Sequence, residues 1–477
     1  MLVRTLLLVC LLYCVFSSSV RAEDVTREQA EQALQQAIRF YSTQCSKHGG
    51  YVWRYSLDLK LSEGEAETDA DTIWVQPYGT PSVGLAFLEA YRATQKSAYL
   101  ETAEQAASAL LAGQMQSGGW YYSIAFAPEE RRKWGYRDNE RFRLDPSRKN
   151  KTNITTLDDD TTPAAVRFLI ELDRELKFEN RKLHTAVEFS LDALLKAQHP
   201  SGGWSQNWDR HPDQKEGPDF PILAASYPKS WPREWDNQWT GKYYLNDNVQ
   251  GNMVATMLLA WKTYSETRYL NSAIAGGEFL IRAQMPDKQR GWAQQYDEKM
   301  HPVWDRKFEP PAVSSDETQE AIVTLIELYD ATGESRFLEP IPDALDWLKR
   351  SELPEGNLAR FYELETNKPL YFVVVGKVYQ LTYDDKNLPT HYGFKIDSKV
   401  EGLSKLLEKA QAGKRNLFVR SRPSSGKVSG IIANLDERGA WVEEGNMKGF
   451  NKASREGVIE SETFVKNVQT LAEYLKP

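Results

Sequence analysis

Gln198-His-Pro-Ser-Gly-Gly-Trp204 decides the fold, because it ends a helical run and the same device returns four more times. The other copies are Gln44 to Gly49, Gly50 and Tyr51; Gln114 to Gly118, Gly119 and Trp120; Gln284 to Gly291 and Trp292; and a degenerate Glu352 to Gly356. The anchors lie 70, 84, 86 and 68 residues apart. An irregular internal repeat of this length holds two helices and a long loop.

The helices are read from what precedes each anchor. Leu100 to Gln114, Leu270 to Gln284 and Leu338 to Glu352 carry apolar residues returning at three and four. Further helical runs lie ahead of the last four anchors: Val83 to Tyr91, Pro163 to Glu171, Val249 to Trp261 and Thr318 to Tyr329. Repeated antiparallel pairs arranged around a ring make a mainly α fold, an α/α toroid or incomplete α/α barrel; stacked, they make a superhelix. In a helical hairpin the start of the first helix and the end of the second share one end. The Gly-Gly-Trp loops should therefore share a rim with Asp158, Asp159 and Asp160, with Asp247, and with Asp316 and Glu317.

Arg4, the apolar run Leu6 to Phe16 and the small residues ending in Ala22 predict a signal peptide over 1–22 and a secreted or periplasmic protein. That run is too short to span a bilayer, and no later stretch is apolar enough, so no membrane span is expected in the mature chain. Without Arg4 and Arg21 the formal charge moves from −8 to −10, which disfavours nucleic acid. An anionic ligand then needs a local basic cluster or a bridging cation. Cys10 and Cys14 leave with the signal, so Cys45 has no partner in the chain. The 14 Trp and 23 Tyr, many in expected loops, suit the apolar faces of sugars as well as the covering of a core.

The expected organisation is a catalytic toroid over 23–369 and a C-terminal region over 370–477. In the latter, Leu370 to Thr382 reads as one or two strands, and Lys399 to Ala412 and Ser461 to Tyr474 read as helices. A monomer is expected. The loop after Trp120, with Arg131, Arg132, Lys133 and Arg137 among its cations, suits a polyanion or a solvated surface equally.

Three constellations carry chemistry. In Thr156-Leu-Asp-Asp-Asp-Thr-Thr-Pro163, Thr162 as N-cap and Pro163 at N1 explain one carboxylate through the helix dipole. Three adjacent carboxylates, with Asp247 on the same rim, suggest a hard divalent cation, and oxygen ligands outside the cell favour calcium. Arg306 and Lys307 lie in a second loop at this mouth, between Trp292-Ala-Gln-Gln-Tyr-Asp297 and Asp316. Arg360, in the last Gly-bearing loop, suits a bidentate grip on a carboxylate or a surface salt bridge. The six histidines have no metal-ligand spacing, and no serine elbow, phosphate loop or zinc motif is present.

From about Thr155 to Phe394 the chain resembles the family 10 polysaccharide lyases. The likeness rests on Thr156-Leu-Asp-Asp-Asp-Thr-Thr, Gln198-His-Pro-Ser-Gly-Gly-Trp-Ser-Gln206, Asn246-Asp247, Trp292-Ala-Gln-Gln-Tyr-Asp, Trp304-Asp-Arg-Lys-Phe-Glu-Pro-Pro and Ala359-Arg-Phe-Tyr-Glu-Leu. The resemblance implies β-elimination of polygalacturonate or a related acidic polysaccharide. Arg306 would be the base, Asp158 and Asp247 would be calcium ligands, and Arg360 and Lys368 would bind substrate. Trp204 and Trp292 are expected to offer aromatic faces to it. The chain departs from the family in having Asp158-Asp-Asp160 for Asp-Asn-Gly or Asp-Asp-Gly. It also has Phe372-Val-Val-Val-Gly-Lys377 for an arginine-bearing segment. Two other classes stay open: a non-catalytic glycan-binding envelope protein, and a toroid hydrolase using Asp158 and Asp316.

Overall fold

The computed structural model describes residues 24–212, 220–449 and 457–476; the expected signal peptide lies outside them. The helices are α1 (Arg27–Phe40), α2 (Thr80–Thr94), α3 (Ser97–Ala112), the short α4 (Pro128–Arg131), α5 (Thr161–Glu175), α6 (Arg181–Ala197) and α7 (Val249–Tyr264). They continue with α8 (Thr267–Ala283), α9 (Ser315–Thr332), α10 (Ile341–Arg350), α11 (Val400–Gln411), α12 (Ser425–Ala433) and α13 (Ser461–Leu475). The architecture is an α/α toroid. Helices α13, α2, α5, α7, α9 and α11 form an inner row of successive neighbours, except that α11 does not reach α13 as closely as the others meet. The outer partners α3, α6, α8 and α10 each pack on the inner helix that precedes them, and α1 packs on α13. Among the described residues no helix is long and apolar enough to cross a membrane.

One backbone hydrogen bond recurs around the rim. The N–H groups of Val75, Leu157, Leu245, Ser315 and Ser461 donate to the carbonyls of Tyr122, Gln206, Gln294, Arg360 and Trp53 at 2.7–2.9 Å. Each acceptor stands two residues beyond the repeat aromatic or its equivalent, and each donor lies at the start of the paired inner helix. The end of each outer helix is thereby tied to the start of its own partner, and α13 with α1 obeys the same rule. Helices α1 and α13, the first and last described, complete one helical pair between them.

The glycines of the repeat fit this packing. Gly118 and Gly202 have φ of +117° and +90°, and a Cβ there would lie 2.1 Å from Ala193 Cβ and Ala275 O in the next outer helix. Only glycine accepts both the left-handed backbone and that approach.

The structure departs from sequence expectation in several places. The expected helix Leu338 to Glu352 is a 3₁₀ turn, Ser335–Leu338, followed by α10, because Pro340 has no N–H to continue the ladder. Helix α5 starts at Thr161, and the Thr162 hydroxyl accepts from Trp120 N at 3.0 Å instead of capping its own helix. Helix α12 has no sequence expectation, since Gly426 and Gly430 dilute its pattern. Strands Pro369–Val375 and Val378–Thr382 form a hairpin that joins a sheet with Phe361–Glu363 and Ala312–Ser314. Residue 369 thus lies in a strand paired with the segment before it. A sixth copy of the repeat ends in Gly439-Ala-Trp441, whose indole donates to Ile431 O at 2.9 Å as Trp120 and Trp204 donate ten residues back.

Candidate functional site

The inner helices α5 and α7 begin alike. Leu157-Asp158-Asp159-Asp160 and Leu245-Asn246-Asp247-Asn248 each form a 3₁₀ turn, with the last two residues in the left-handed region. Asp and Asn tolerate that conformation better than other residues with a Cβ. The repeat therefore makes Asp159 the structural equivalent of Asp247, and the two turns pack against each other.

Side chains two residues past the repeat aromatics, and those next to the rim donors Val75 and Leu245, hold these acids. Tyr122 Oη donates to Asp158 Oδ2 at 2.6 Å, and Gln206 Nε2 donates to Asp158 Oδ1 at 2.6 Å. Gln76 Nε2 donates to Asp159 Oδ2 at 2.7 Å, and Asn246 Nδ2 donates to Asp247 Oδ2 at 2.6 Å. Gln294 in turn orients Asn246 at 2.7 Å. Asp247 stands close enough to Asp158 to feel its charge. Burial and the charges of Asp159 and Asp158 push Asp247 well above the carboxylate range. Asp159 rises to about 6 through desolvation and Asp158, although its place at the open mouth lets solvent screen part of this. Among the described residues no three His, Cys, Asp or Glu side chains are grouped to hold a metal by themselves.

Two arginines face the acids. Both oxygens of Glu309, which is buried, bind Arg306: Nε to Oε2 at 2.7 Å and Nη2 to Oε1 at 2.5 Å. Despite desolvation, Glu309, Tyr392 and Asp247 hold the Arg306 guanidinium charged, above its usual range. Arg360 pairs with Asp316 at 2.8 Å, donates from Nε to Gly393 O at 2.7 Å, and feels Glu317 and Asp247. The ring of Tyr392 stands under both guanidinium groups, its centroid 5.8 Å from Arg306 and 4.8 Å from Arg360. Its hydroxyl donates to Glu309 at 3.0 Å and accepts from Gln294 at 2.8 Å. Next to Arg306, buried Asp305 accepts from Tyr244 Oη at 3.1 Å, and desolvation with Glu309 raises it to about 7.

Asp158, Asp247, Arg306 and Arg360 thus come together at one mouth of the ring. Three other expected site residues do not join them. Trp204 and Trp292 are fully buried, and their indoles donate to Leu194 O and Leu280 O at 3.0 and 2.8 Å. They are core residues, because the Gly-bearing turn aims the following ring into the helix pair and not out of the mouth. Each such ring buries roughly 200 Å², on the order of 4–6 kcal/mol. Lys368 is exposed over the Tyr383 ring at 5.4 Å, at the end of strand Phe361–Glu363 away from Arg360. Asp160 is turned to Arg167 of its own helix.

Asp159 was read only as one of three rim carboxylates, without a role of its own, and Glu309, Tyr392, Gln206 and Gln294 were given none. Aligning Leu157-Asp-Asp-Asp with Leu245-Asn-Asp-Asn would have found Asp159. Tyr392 carries no such signal, because it lies in the long segment between α10 and α11, where no motif recurs.

No protein-family model and no curated protein matches the chain. Among solved structures, a cellobiose 2-epimerase from Spirochaeta thermophila is 14% identical with a TM-score of 0.50, over 94% of this chain and 96% of the other. A family 10 polysaccharide lyase from Cellvibrio cellulosa is 16% identical with a TM-score of 0.44, over 70% and 97%. A family 76 glycoside hydrolase (mannosidase) from Bacteroides thetaiotaomicron is 12% identical with a TM-score of 0.45, over 94% and 97%. At such identities the likeness shows a shared fold alone.

Proposed function

We propose that the protein is a calcium-dependent lyase that cleaves polygalacturonate or a related uronan by β-elimination. The observation that carries this reading is the meeting of Asp158, Asp159 and Asp247 with Arg306 and Arg360 around Tyr392 at one open mouth. Mutually repelling carboxylates fit a hard cation, and the proton affinity of Asp159 and Asp247 is raised. Asp158 and Asp247 would supply protein oxygens, leaving the remaining positions to water and to the substrate carboxylate. When bound, calcium would stabilise the enolate-like charge on the uronate and oppose the protonated form of the guanidinium beside it.

The chain's own groups orient the reaction. Tyr122 and Gln206 fix both oxygens of Asp158, and Asn246 fixes Asp247. The grip of Glu309 favours the charged form of Arg306, so substrate binding must loosen that grip and let the guanidinium give a proton to solvent. Neutral Arg306 is the base in this reading: it takes the C5 proton, the C4–O bond breaks as C4=C5 forms, and the leaving sugar oxygen takes a proton from water. Arg360 holds a second carboxylate by exchanging part of its pairing with Asp316.

The test is absorbance of unsaturated product from polygalacturonate, with calcium and with chelator, beside Arg306→Ala. Calcium-dependent absorbance lost in the variant supports the lyase; silence from folded protein on a panel of uronans sinks it. One observation favours hydrolysis as a second reading: Asp247, pushed well above the carboxylate range by burial and by the charges of Asp159 and Asp158, would carry a proton beside an ionised Asp159. Saturated products with new reducing ends would select it.

A further inference from the structure

Beside the mouth lies a cavity of about 300 Å³ that the chemistry above does not use. Its walls include Trp231, Pro302 and Trp304, with Asp236, Asp297 and His301 among its polar groups. The size is at the lower end of the about 300–1,000 Å³ spanned by small-molecule sites. Trp304 precedes Asp305-Arg306 in the chain, so the cavity and the arginine share one loop.

The walls are built. Trp304 Nε1 donates to Pro232 O at 2.7 Å, tying the loop of Trp231 to the loop of Arg306. The Arg233 guanidinium lies 4.1 Å from the Trp231 ring centroid and is bound to Glu363, so its charge is compensated outside the cavity. Asp297 is fixed by the backbone N–H groups of Lys299 and His301 at 2.8 and 2.9 Å, and Asp236 by that of Gln238 at 3.0 Å. The lining holds no lysine or arginine.

Indole and proline faces suit the C–H face of a pyranose, and fixed carboxylates accept its hydroxyls. The same carboxylates repel a uronate. We propose that this cavity is a subsite for a neutral pyranose, so that the polymer lying across the mouth carries neutral sugars beside its uronates. The inference rests on the carbohydrate reading of the mouth, but its test needs no turnover.

Saturation-transfer NMR is run in chelator with the methyl pyranosides of galactose, glucose, mannose and xylose, and with methyl galacturonate, on wild type, Trp231→Ala and Asp236→Asn. At least one neutral pyranoside is expected to bind wild type and to lose at least ten-fold in affinity in Trp231→Ala. Methyl galacturonate should bind at least ten-fold more weakly than that sugar, and Asp236→Asn should narrow the gap. No neutral binder, a uronate bound as well as a neutral sugar, or Trp231→Ala folded and unchanged would overturn the subsite. If Trp231→Ala does not fold, the exposed Asp236→Asn decides: an unchanged gap overturns it. Arg306-dependent absorbance without neutral-sugar binding leaves the lyase standing; the reverse leaves the subsite.

Discussion

Glu309 holds Arg306 with both carboxylate oxygens from three residues away, and Tyr392 donates to the same carboxylate. The pair fixes the direction of the guanidinium and also its charge. Glu309→Gln keeps the shape and removes the charge that favours protonated Arg306. We expect kcat to fall about 10–100-fold with KM little changed, and the acidic limb of the pH–rate profile to move to lower pH. A KM effect with an unmoved profile would take Arg306 out of proton transfer.

Asp247 stands where three carboxylates crowd, so its charge opposes folding and serves binding. Asp247→Asn should stabilise the calcium-free protein at pH 7 by about 0.5–2 kcal/mol in urea titration, while activity falls about 100-fold or more. Destabilisation would mean that the carboxylates are already compensated.

The same crowding sets a pH signature. Asp159 and Asp305 bind protons more tightly folded, at about 6 and about 7, than an unfolded carboxyl near 4. Their contribution to stability is full below about pH 4 and is lost as pH rises through about 6 to 7. Calcium at a hundred times its Kd should add about 2.7 kcal/mol at pH 7 and much less at pH 4, read as the rise in Tm. Equal rises at both values would place the ion away from these acids.

Trp292 was expected to face substrate and is instead a core residue. Trp292→Phe removes the donor to Leu280 O and leaves space, costing about 1–3 kcal/mol. KM on the polymer should not change once the variant is folded; a raised KM would return the ring to the binding surface.

The Gly-Gly-aromatic repeat was legible because each copy needs the same two things: a glycine that lets the turn touch the next outer helix, and a ring that fills the helix pair. These are local demands, renewed at every repeat, and they determined the toroid, its rim and the placing of Asp158, Asp247, Arg306 and Arg360 on it. The sequence by itself also paired the two left-handed turns, had Leu157-Asp-Asp-Asp been set against Leu245-Asn-Asp-Asn. What tertiary structure alone decided is which charges meet. Lys368 lies away from the mouth, and Tyr392 comes from the segment before α11 to sit under two arginines. The closing of α13 on α1 belongs to the same class. Contacts between residues far apart in the chain depend on how the segments pack, and no local spacing encodes that.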